Sequence, residues 1–478
     1  MIFAACTGSP QARRDRYLAR GKHFLDIGDP TRALIELRNA AGVSPNDAEI
    51  YYQTGVAYQK AQDLRSAVLS FQKALALDPK HAAAQLRLAE MMAAANDKSV
   101  LQEARTRLEK IVGDSQASVD ALDVLAISEI KLGKPEDAVR TLERSMDQFP
   151  GELNTSILLA RTKWYLHDKK GAEEALKKAC EQLPQAAAAH QILGQFYFAE
   201  NRLPEAETEL RLALQLDSKS GPALESLARL HLAEGNLAEA ARTYQLLAAL
   251  PGYQSAYGLF LFRAGKSEDG LREFERVVRE NPGNRELRTD LIVAYRALKR
   301  PVDIDRVLGA ALEKNPKDIA ALEQRAEVSI GRGDYRTAET DLDAAAHFLP
   351  SAPEPHYFRA QIYRLHGETR SYRQELSETL RLAPFALSVR IELACSMMSD
   401  KGRSALDVLD GAAKSQKSTA PYLAARNWAL YANGDLAEMR NGIDAGLALG
   451  RSPEFLVQDG LWKLHAGDAA AAQALVEE

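Results

Sequence analysis

The spacing of the prolines limits this chain to one kind of architecture. Of its nineteen prolines, eight form a series in which five of the seven intervals are equal, as from Pro45 to Pro79. Of the other two intervals, one is three residues longer than two periods, and the other is four residues shorter than three periods. Proline stops an α-helix, and a fixed period of about 34 residues is typical of a stacked helix-turn-helix array. The series is Pro45, Pro79, Pro150, Pro184, Pro282, Pro316, Pro350 and Pro384.

Small residues recur at two positions of this period. When the proline is numbered 32, position 8 is glycine or alanine in most units, and position 20 is almost always alanine. Such residues let two helices approach to about 8 to 10 Å, because no bulky side chain separates their backbones. Position 24 is large and apolar, as at Phe71 and Leu142, and fills the seam. The period therefore predicts antiparallel helix pairs that bury a continuous core against their neighbours.

These positions together resemble the tetratricopeptide repeat, most plainly in Tyr51, Gly55, Phe71 and Pro79 of the second unit. The resemblance covers residues 14–478. It implies an all-α fold, an α-solenoid forming a right-handed superhelix of thirteen units and an incomplete fourteenth at 453–478. The expected units begin at Arg14, Ala48, Ala82, Val119, Leu153, Ala187, Gly221, Pro251, Arg285, Ile319, Pro353, Leu387, Ala420 and Pro453.

Two departures from the pattern limit this prediction. Repeat nine carries Ile292 and Ile304 at the two small positions, so we expect it to pack less tightly than the others. The last residues, 469–478, fall within a second helix that no polar capping helix follows. Because an uncovered repeat exposes its apolar stacking face, we expect the natural chain to continue, or this end to dock on a partner or on a second copy.

The first residues resemble the lipobox of bacterial lipoproteins. In Phe3-Ala4-Ala5-Cys6, small residues precede a cysteine, which in that family is lipidated and begins the mature chain. Only five residues precede Cys6, so the charged and apolar leader is missing and we interpret the start as a truncated signal. Residues 1–13 would then be the signal remnant and a tether. The alternative is a chance Ala-Ala-Cys at a frayed end.

Charge and hydropathy exclude two function classes. A net charge of −5 and a pI near 6.1 argue against a dedicated nucleic-acid binder, because such domains are usually basic. No apolar run approaches the length of roughly 18 residues that a membrane span needs. A lipid on Cys6 is therefore the only membrane contact that the sequence predicts.

The sequence contains no motif for catalysis, a cofactor or a metal. Gly265-Lys266-Ser267 looks like the end of a phosphate loop, but Phe260 stands where the first glycine is required. None of the nine histidines forms a His-x-x-x-His pair, so we expect no metal site. Cys180 is expected to be a packed thiol, and Cys395 is expected near the inner face of its unit.

Function is therefore expected to lie in surface shape. By family resemblance, the first helix of each unit lines an inner groove, where aromatic and arginine side chains dominate binding. The alternative is that Trp164, Phe198 and Phe262 only pack against the next unit. The expected groove for a protein or peptide partner consists of Arg161, Trp164, Gln191, Gln195, Phe198, Arg229, Phe262, Arg263 and Arg296, with Tyr165 and Glu225 beside them.

Three functions remain open on the sequence. The leading interpretation is a non-catalytic scaffold, lipid-anchored on the periplasmic side of the bacterial envelope. At the level of the whole chain it is similar to long tetratricopeptide lipoproteins linked to exopolysaccharide export and PEP-CTERM sorting. The others are the regulatory arm of a glycosyltransferase or kinase whose catalytic domain lies outside this chain, and a cytoplasmic assembly cofactor. A chaperone-tail adaptor is disfavoured, because pairs such as Leu18/Lys22 and Ile157/Arg161 do not match the known carboxylate clamp.

Overall fold

The structure, a computed structural model, describes residues 9–95, 97–113, 117–398 and 403–477. Across these ranges it contains 28 α-helices and no strand, which confirms the prediction of an all-α solenoid built from helix pairs. Close contacts divide the chain into two units, residues 1–236 and 237–478, and each is described by itself. Cys6 and the rest of the expected lipobox, Phe3-Ala4-Ala5, lie outside the described residues.

Thirteen helices form the first unit, and odd-numbered helices are the first of each repeat. Their bounds are α1 Pro10–Asp26, α2 Pro30–Val43, α3 Ala48–Lys60, α4 Leu64–Leu77, α5 Ala82–Ala93, α6 Lys98–Gly113, α7 Val119–Lys131, α8 Pro135–Gln148, α9 Leu153–Tyr165, α10 Lys169–Gln182, α11 Ala187–Ala199, α12 Leu203–Leu216 and α13 Gly221–Ala233. Because α1 begins at Pro10, residues 10–13 of the expected tether are helical.

Fifteen helices form the second unit. Their bounds are α14 Leu237–Ala248, α15 Ala256–Arg263, α16 Ser267–Glu280, α17 Arg285–Ala297, α18 Pro301–Lys314, α19 Ile319–Arg332, α20 Tyr335–Phe348, α21 Glu354–Leu365, α22 Thr369–Leu382, α23 Leu387–Met397, α24 Arg403–Asp410, α25 Ala420–Asn433, α26 Leu436–Leu449, α27 Pro453–His465 and α28 Ala469–Glu477. None of the described helices is both long and apolar enough to cross a bilayer.

Aspartate caps and residues with a left-handed backbone mark the turns between paired helices. Asp29, Asp63 and Asp168 each accept a hydrogen bond from a backbone N–H three residues ahead, and so cap the second helices α2, α4 and α10. The turn inside each of these repeats needs one residue with a left-handed backbone, such as Gly28 at φ 76°. Glycine adopts that conformation without strain, whereas His167, at φ 62°, shows that other residues are tolerated there.

The packing between paired helices explains why position 8 of the period carries a small residue. A Cβ atom on Gly55 would lie 2.5 Å from the ring of Phe71, and one on Gly194 would lie 2.8 Å from Leu210. Both large partners are fully buried. In these two repeats a side chain at position 8 would collide with the residue at position 24, whereas in repeat four Ala126 is accommodated opposite Leu142.

Repeat nine departs from this arrangement. Ile292 and Ile304, at its two small positions, are both buried. A cavity of about 790 Å³ lies among α16, α17 and α18, lined in part by Leu291 and Tyr295. Burial and a hydrogen bond to Glu275 raise the pKa of the Tyr295 phenol.

Candidate partner-binding surface

In the first unit, α9, α11 and α13 carry the predicted groove residues. The buried side of α9 presents Thr155, Leu159 and Thr162 to neighbouring helices. Since a helix turns 100° per residue, Arg161 then falls on the outward side, and its side chain is exposed. The position of this guanidinium therefore follows from the packing of α9 and not from contacts of its own.

Arg161 and Tyr165, one turn apart on α9, form the most accessible part of this surface. Tyr165 is 73% exposed. Arg161 makes no hydrogen bond or ion pair with any residue in the ranges that the structure describes. Arg229 on α13 is also exposed, but its guanidinium lies 2.8 Å from the carboxylate of Glu225 on the same helix. Arg161 is thus freer than Arg229 to bind an acidic group.

The two aromatic rings predicted here are only half exposed. Trp164 meets Phe196 edge to face with 5.5 Å between ring centroids, and so joins α9 to α11. Phe198 packs against the same buried cluster. Both rings therefore belong partly to the core, as the alternative interpretation of the sequence held.

The two glutamines of α11 differ in their contacts. Gln195 donates a hydrogen bond of 2.8 Å to the hydroxyl of Ser226 on α13, and that hydroxyl donates to the carbonyl of Pro222. Gln191 is half-buried and has no hydrogen-bond partner within the described ranges. Gln195 thus links two repeats, whereas the amide of Gln191 is free to recognise a ligand.

In the second unit the predicted residues have separate roles. The ring of Phe262 packs against Phe274 at 5.7 Å and fills the space where Gly270 lacks a side chain, so it is a seam residue. Arg296 lies 3.6 Å from Glu327 and joins α17 to α19. Arg263 is exposed and makes no ion pair with the residues that the structure covers.

Polar contacts between first helices were not predicted from the sequence. Thr155 donates to both carboxylate oxygens of Asp123 at 2.9 Å, which links α7 to α9. Burial raises the pKa of Asp123 despite these hydrogen bonds. Near the start of the chain, Glu49 lies 2.6 Å from the ammonium of Lys22 on the neighbouring first helix. Burial opposes ionisation of Glu49, but its hydrogen bonds keep its pKa below the usual value.

A second group of polar side chains lies in the first unit, where no metal site was predicted. Ligand atoms of Cys180, His190 and Glu209 lie within 4.8 Å of one another, at the end of α10, the start of α11 and the middle of α12. Burial and the nearby carboxylates of Glu209 and Glu181 raise the pKa of the Cys180 thiol to about 11. This group could not be recognised as a sequence motif, because its three residues lie on three different helices.

The remaining predicted features fall on ordinary parts of the repeats. Cys395 is exposed on α23. Gly265 has φ 75° in the turn between α15 and α16, and α16 begins at Ser267. A helix and not a strand precedes this tripeptide, so the arrangement differs from a phosphate loop.

Two family models match the first unit. One, described as the cytochrome c-type biogenesis protein H TPR domain, matches residues 15–155. The other, described as a tetratricopeptide repeat, matches residues 157–221. Together they cover consecutive repeats that contain α9 and α11, which carry Arg161 and Gln191. No curated protein sequence matches the chain.

Solved structures of similar proteins superpose only partially. MamA from Desulfovibrio magneticus is 26% identical over 36% of this chain and 94% of its own, with a TM-score of 0.33. PilF from Pseudomonas aeruginosa is 18% identical over 46% of this chain and 99% of its own, with a TM-score of 0.38. Yeast Tom70 is 15% identical over 98% of this chain and 97% of its own, with a TM-score of 0.37.

Proposed function

The chain belongs to the tetratricopeptide repeat family, and on this basis we propose that it is a non-catalytic scaffold that binds a protein or peptide partner. The first helices of repeats five and six, α9 and α11, provide the binding surface. The observation that carries the proposal is the exposed guanidinium of Arg161, which no described residue pairs, one turn from the exposed ring of Tyr165.

The chemistry of this surface indicates what it binds. A free guanidinium forms two parallel hydrogen bonds with a carboxylate, and the phenol of Tyr165 adds apolar area with a polar end. Gln191 on α11 offers an amide that can bond to a peptide backbone. A segment with an acidic side chain next to an apolar one fits these groups best. Arg229, already paired with Glu225, contributes less.

We expect Arg161→Ala to weaken partner binding at least about tenfold, since arginine and tyrosine hot spots each contribute about 2 kcal/mol or more at interfaces. The partner would be captured with the full chain and identified by mass spectrometry, and its Kd measured by calorimetry. Tyr165→Ala should have a similar effect.

The matched control is Arg211→Ala on α12. This arginine is also exposed, but it lies on a second helix and is paired with Glu207. It should leave the Kd within about twofold, because surface ion pairs contribute little. Equal losses in Arg161→Ala and Arg211→Ala, or an unchanged Kd in Arg161→Ala, would contradict the proposed surface.

The proposed location is the periplasmic side of a bacterial envelope, with a lipid on Cys6 as the anchor. Its support is the Ala4-Ala5-Cys6 sequence. In that place the scaffold would assist envelope, secretion or exopolysaccharide machinery. When the protein is expressed from its natural gene, we expect an alkyne fatty acid to label the wild type and Cys395→Ala, but not Cys6→Ala. A wild type without label would favour the cytoplasmic assembly cofactor instead.

A further inference from the structure

Cys180, His190 and Glu209 bring three different metal-binding groups to one place in the first unit. Their ligand atoms lie within 4.8 Å of one another. Nδ1 of His190 is 2.8 Å from a carboxylate oxygen of Glu209, and His190 is only 7% exposed. The imidazole is therefore buried, whereas Cys180 and Glu209 are each partly exposed, so the group lies close to the surface.

The contact with Glu209 shows which nitrogen of His190 would bind an ion. Because Nδ1 faces the carboxylate, a cation shared by His190 and Glu209 would be held at Nδ1 and would replace the hydrogen bond between them. Nε2 lies on the other side of the ring, where it is buried and has no hydrogen-bond partner among the described residues.

We propose that Cys180, His190 and Glu209 bind a divalent cation of borderline softness, of which Zn²⁺ is the type. Thiolate, imidazole and carboxylate are the three side-chain ligands that zinc uses. A thiolate and a carboxylate together balance the two positive charges of the ion, which lowers the cost of placing it in a partly buried site. Three protein ligands leave a fourth coordination position for water or for a partner's side chain.

The distances between ligand atoms allow this coordination with small movements. Tetrahedral bonds of about 2.0 Å to nitrogen or oxygen and about 2.3 Å to the one sulfur place ligand atoms about 3.3 to 3.5 Å apart. The most distant atoms, now within 4.8 Å, would approach by about 1.3 Å, whereas Nδ1 of His190 and the carboxylate oxygen of Glu209, now 2.8 Å apart, would separate by about 0.5 Å. Rotation of the Cys180 and Glu209 side chains supplies such a shift without moving a helix.

Another repeat shows which residue makes this group distinct. In repeat eleven, Nδ1 of His356 lies 2.7 Å from the carboxylate of Glu375, at the same positions of the period. Ala346 occupies the position that corresponds to Cys180. The His–Glu contact therefore recurs as a link between paired helices, and the cysteine is what would turn one of the two pairs into a metal site.

A bound ion would join repeat five to repeat six. Cys180 lies at the end of α10, whereas His190 and Glu209 belong to the next helix pair. α11 also carries Gln191, directly after His190, so the ion would fix the helix that presents part of the candidate partner-binding surface. The site does not depend on that surface, and either proposal can fail alone.

The test is titration of Co²⁺ into the full reduced chain in a Cys6→Ala/Cys395→Ala background, where Cys180 is the only one of three cysteines left. We expect a near-ultraviolet thiolate-to-cobalt charge-transfer band that saturates at one equivalent, and displacement of Co²⁺ by Zn²⁺. Cys180→Ser, which keeps the shape of the side chain, should abolish the band. His190→Ala and Glu209→Gln should each weaken Co²⁺ binding at least about tenfold.

The matched control is His356→Ala, which removes the same imidazole from the pair that lacks a cysteine. It should leave the band and the affinity for Co²⁺ unchanged. Circular dichroism of every variant would verify that its helices are intact. No band in the parent, a band that persists in Cys180→Ser, or equal losses in His190→Ala and His356→Ala would overturn the proposal.

Discussion

Phe71→Ala is expected to destabilise the repeats around it by about 3 to 5 kcal/mol, the usual cost of deleting a buried phenylalanine ring. The ring of Phe71 is fully buried on α4. It covers Gly55 of α3, where a Cβ atom would lie only 2.5 Å away, and it packs beside Tyr52 at 6.0 Å between centroids. Removing it leaves a cavity that neither helix can close, because glycine has no side chain to move into the gap.

Hydrogen exchange resolved by peptide is the suitable measurement for Phe71→Ala. Repeats contact mainly their neighbours, so unfolding need not be a single two-state transition. We expect faster exchange in α3, α4 and α5, and little change in distant repeats. Leu69→Ala is the control, since Leu69 lies on the same helix but is 59% exposed. Its effect should stay within about 0.5 kcal/mol. Equal exchange in both variants would contradict the seam described here.

The repeat register could be predicted from the sequence because each unit repeats the same local signals. Helices α3, α9 and α17 begin at Ala48, Leu153 and Arg285, as the period predicts. α15 begins at Ala256, five residues after the expected Pro251, where the preceding repeat has lost residues. Proline spacing and small residues act within one helix pair, so they specify helix bounds well. They fail at α15, and α1 also begins four residues before the expected Arg14.

The state of each surface side chain could not be predicted in the same way. The pairing of Arg229 with Glu225, one turn away on the same helix, can be read from the sequence, but contacts with other repeats cannot. The half-burial of Trp164 depends on Phe196, which belongs to the next repeat. Contacts between repeats depend on pairs of side chains that the period does not constrain, and the group around Cys180 was missed for the same reason.

Arg288 is a clear example of a contact between repeats that the sequence did not predict. It is a charged residue on a first helix, and yet it is almost fully buried. It is 1% exposed on α17. Its guanidinium donates to the side chain of Gln324 at 2.5 Å and to the carbonyl of Pro282 at 3.2 Å. It also lies 3.2 Å from the carboxylate of Asp318, which caps α19. A single arginine thus satisfies three acceptors between two repeats.

Arg288→Met is therefore expected to destabilise α17 to α19 by about 2 to 4 kcal/mol. Removing one partner of a buried ion pair costs about 3 to 5 kcal/mol, and Asp318 keeps part of its stabilisation through the N–H of Ala321. The control is Arg306→Met on α18, whose side chain is 72% exposed and paired with Asp303. That change should cost less than about 1 kcal/mol.

Urea unfolding and hydrogen exchange would compare these two variants. In Arg288→Met we expect faster exchange in α17 and α19, since the lost contacts join those helices. Adding Asp318→Asn should recover part of the loss, because the second change removes the carboxylate charge that the first leaves unpaired. If Arg288→Met and Arg306→Met were equally mild, the guanidinium of Arg288 would have to reach water. The buried link between repeats nine and ten would then be wrong.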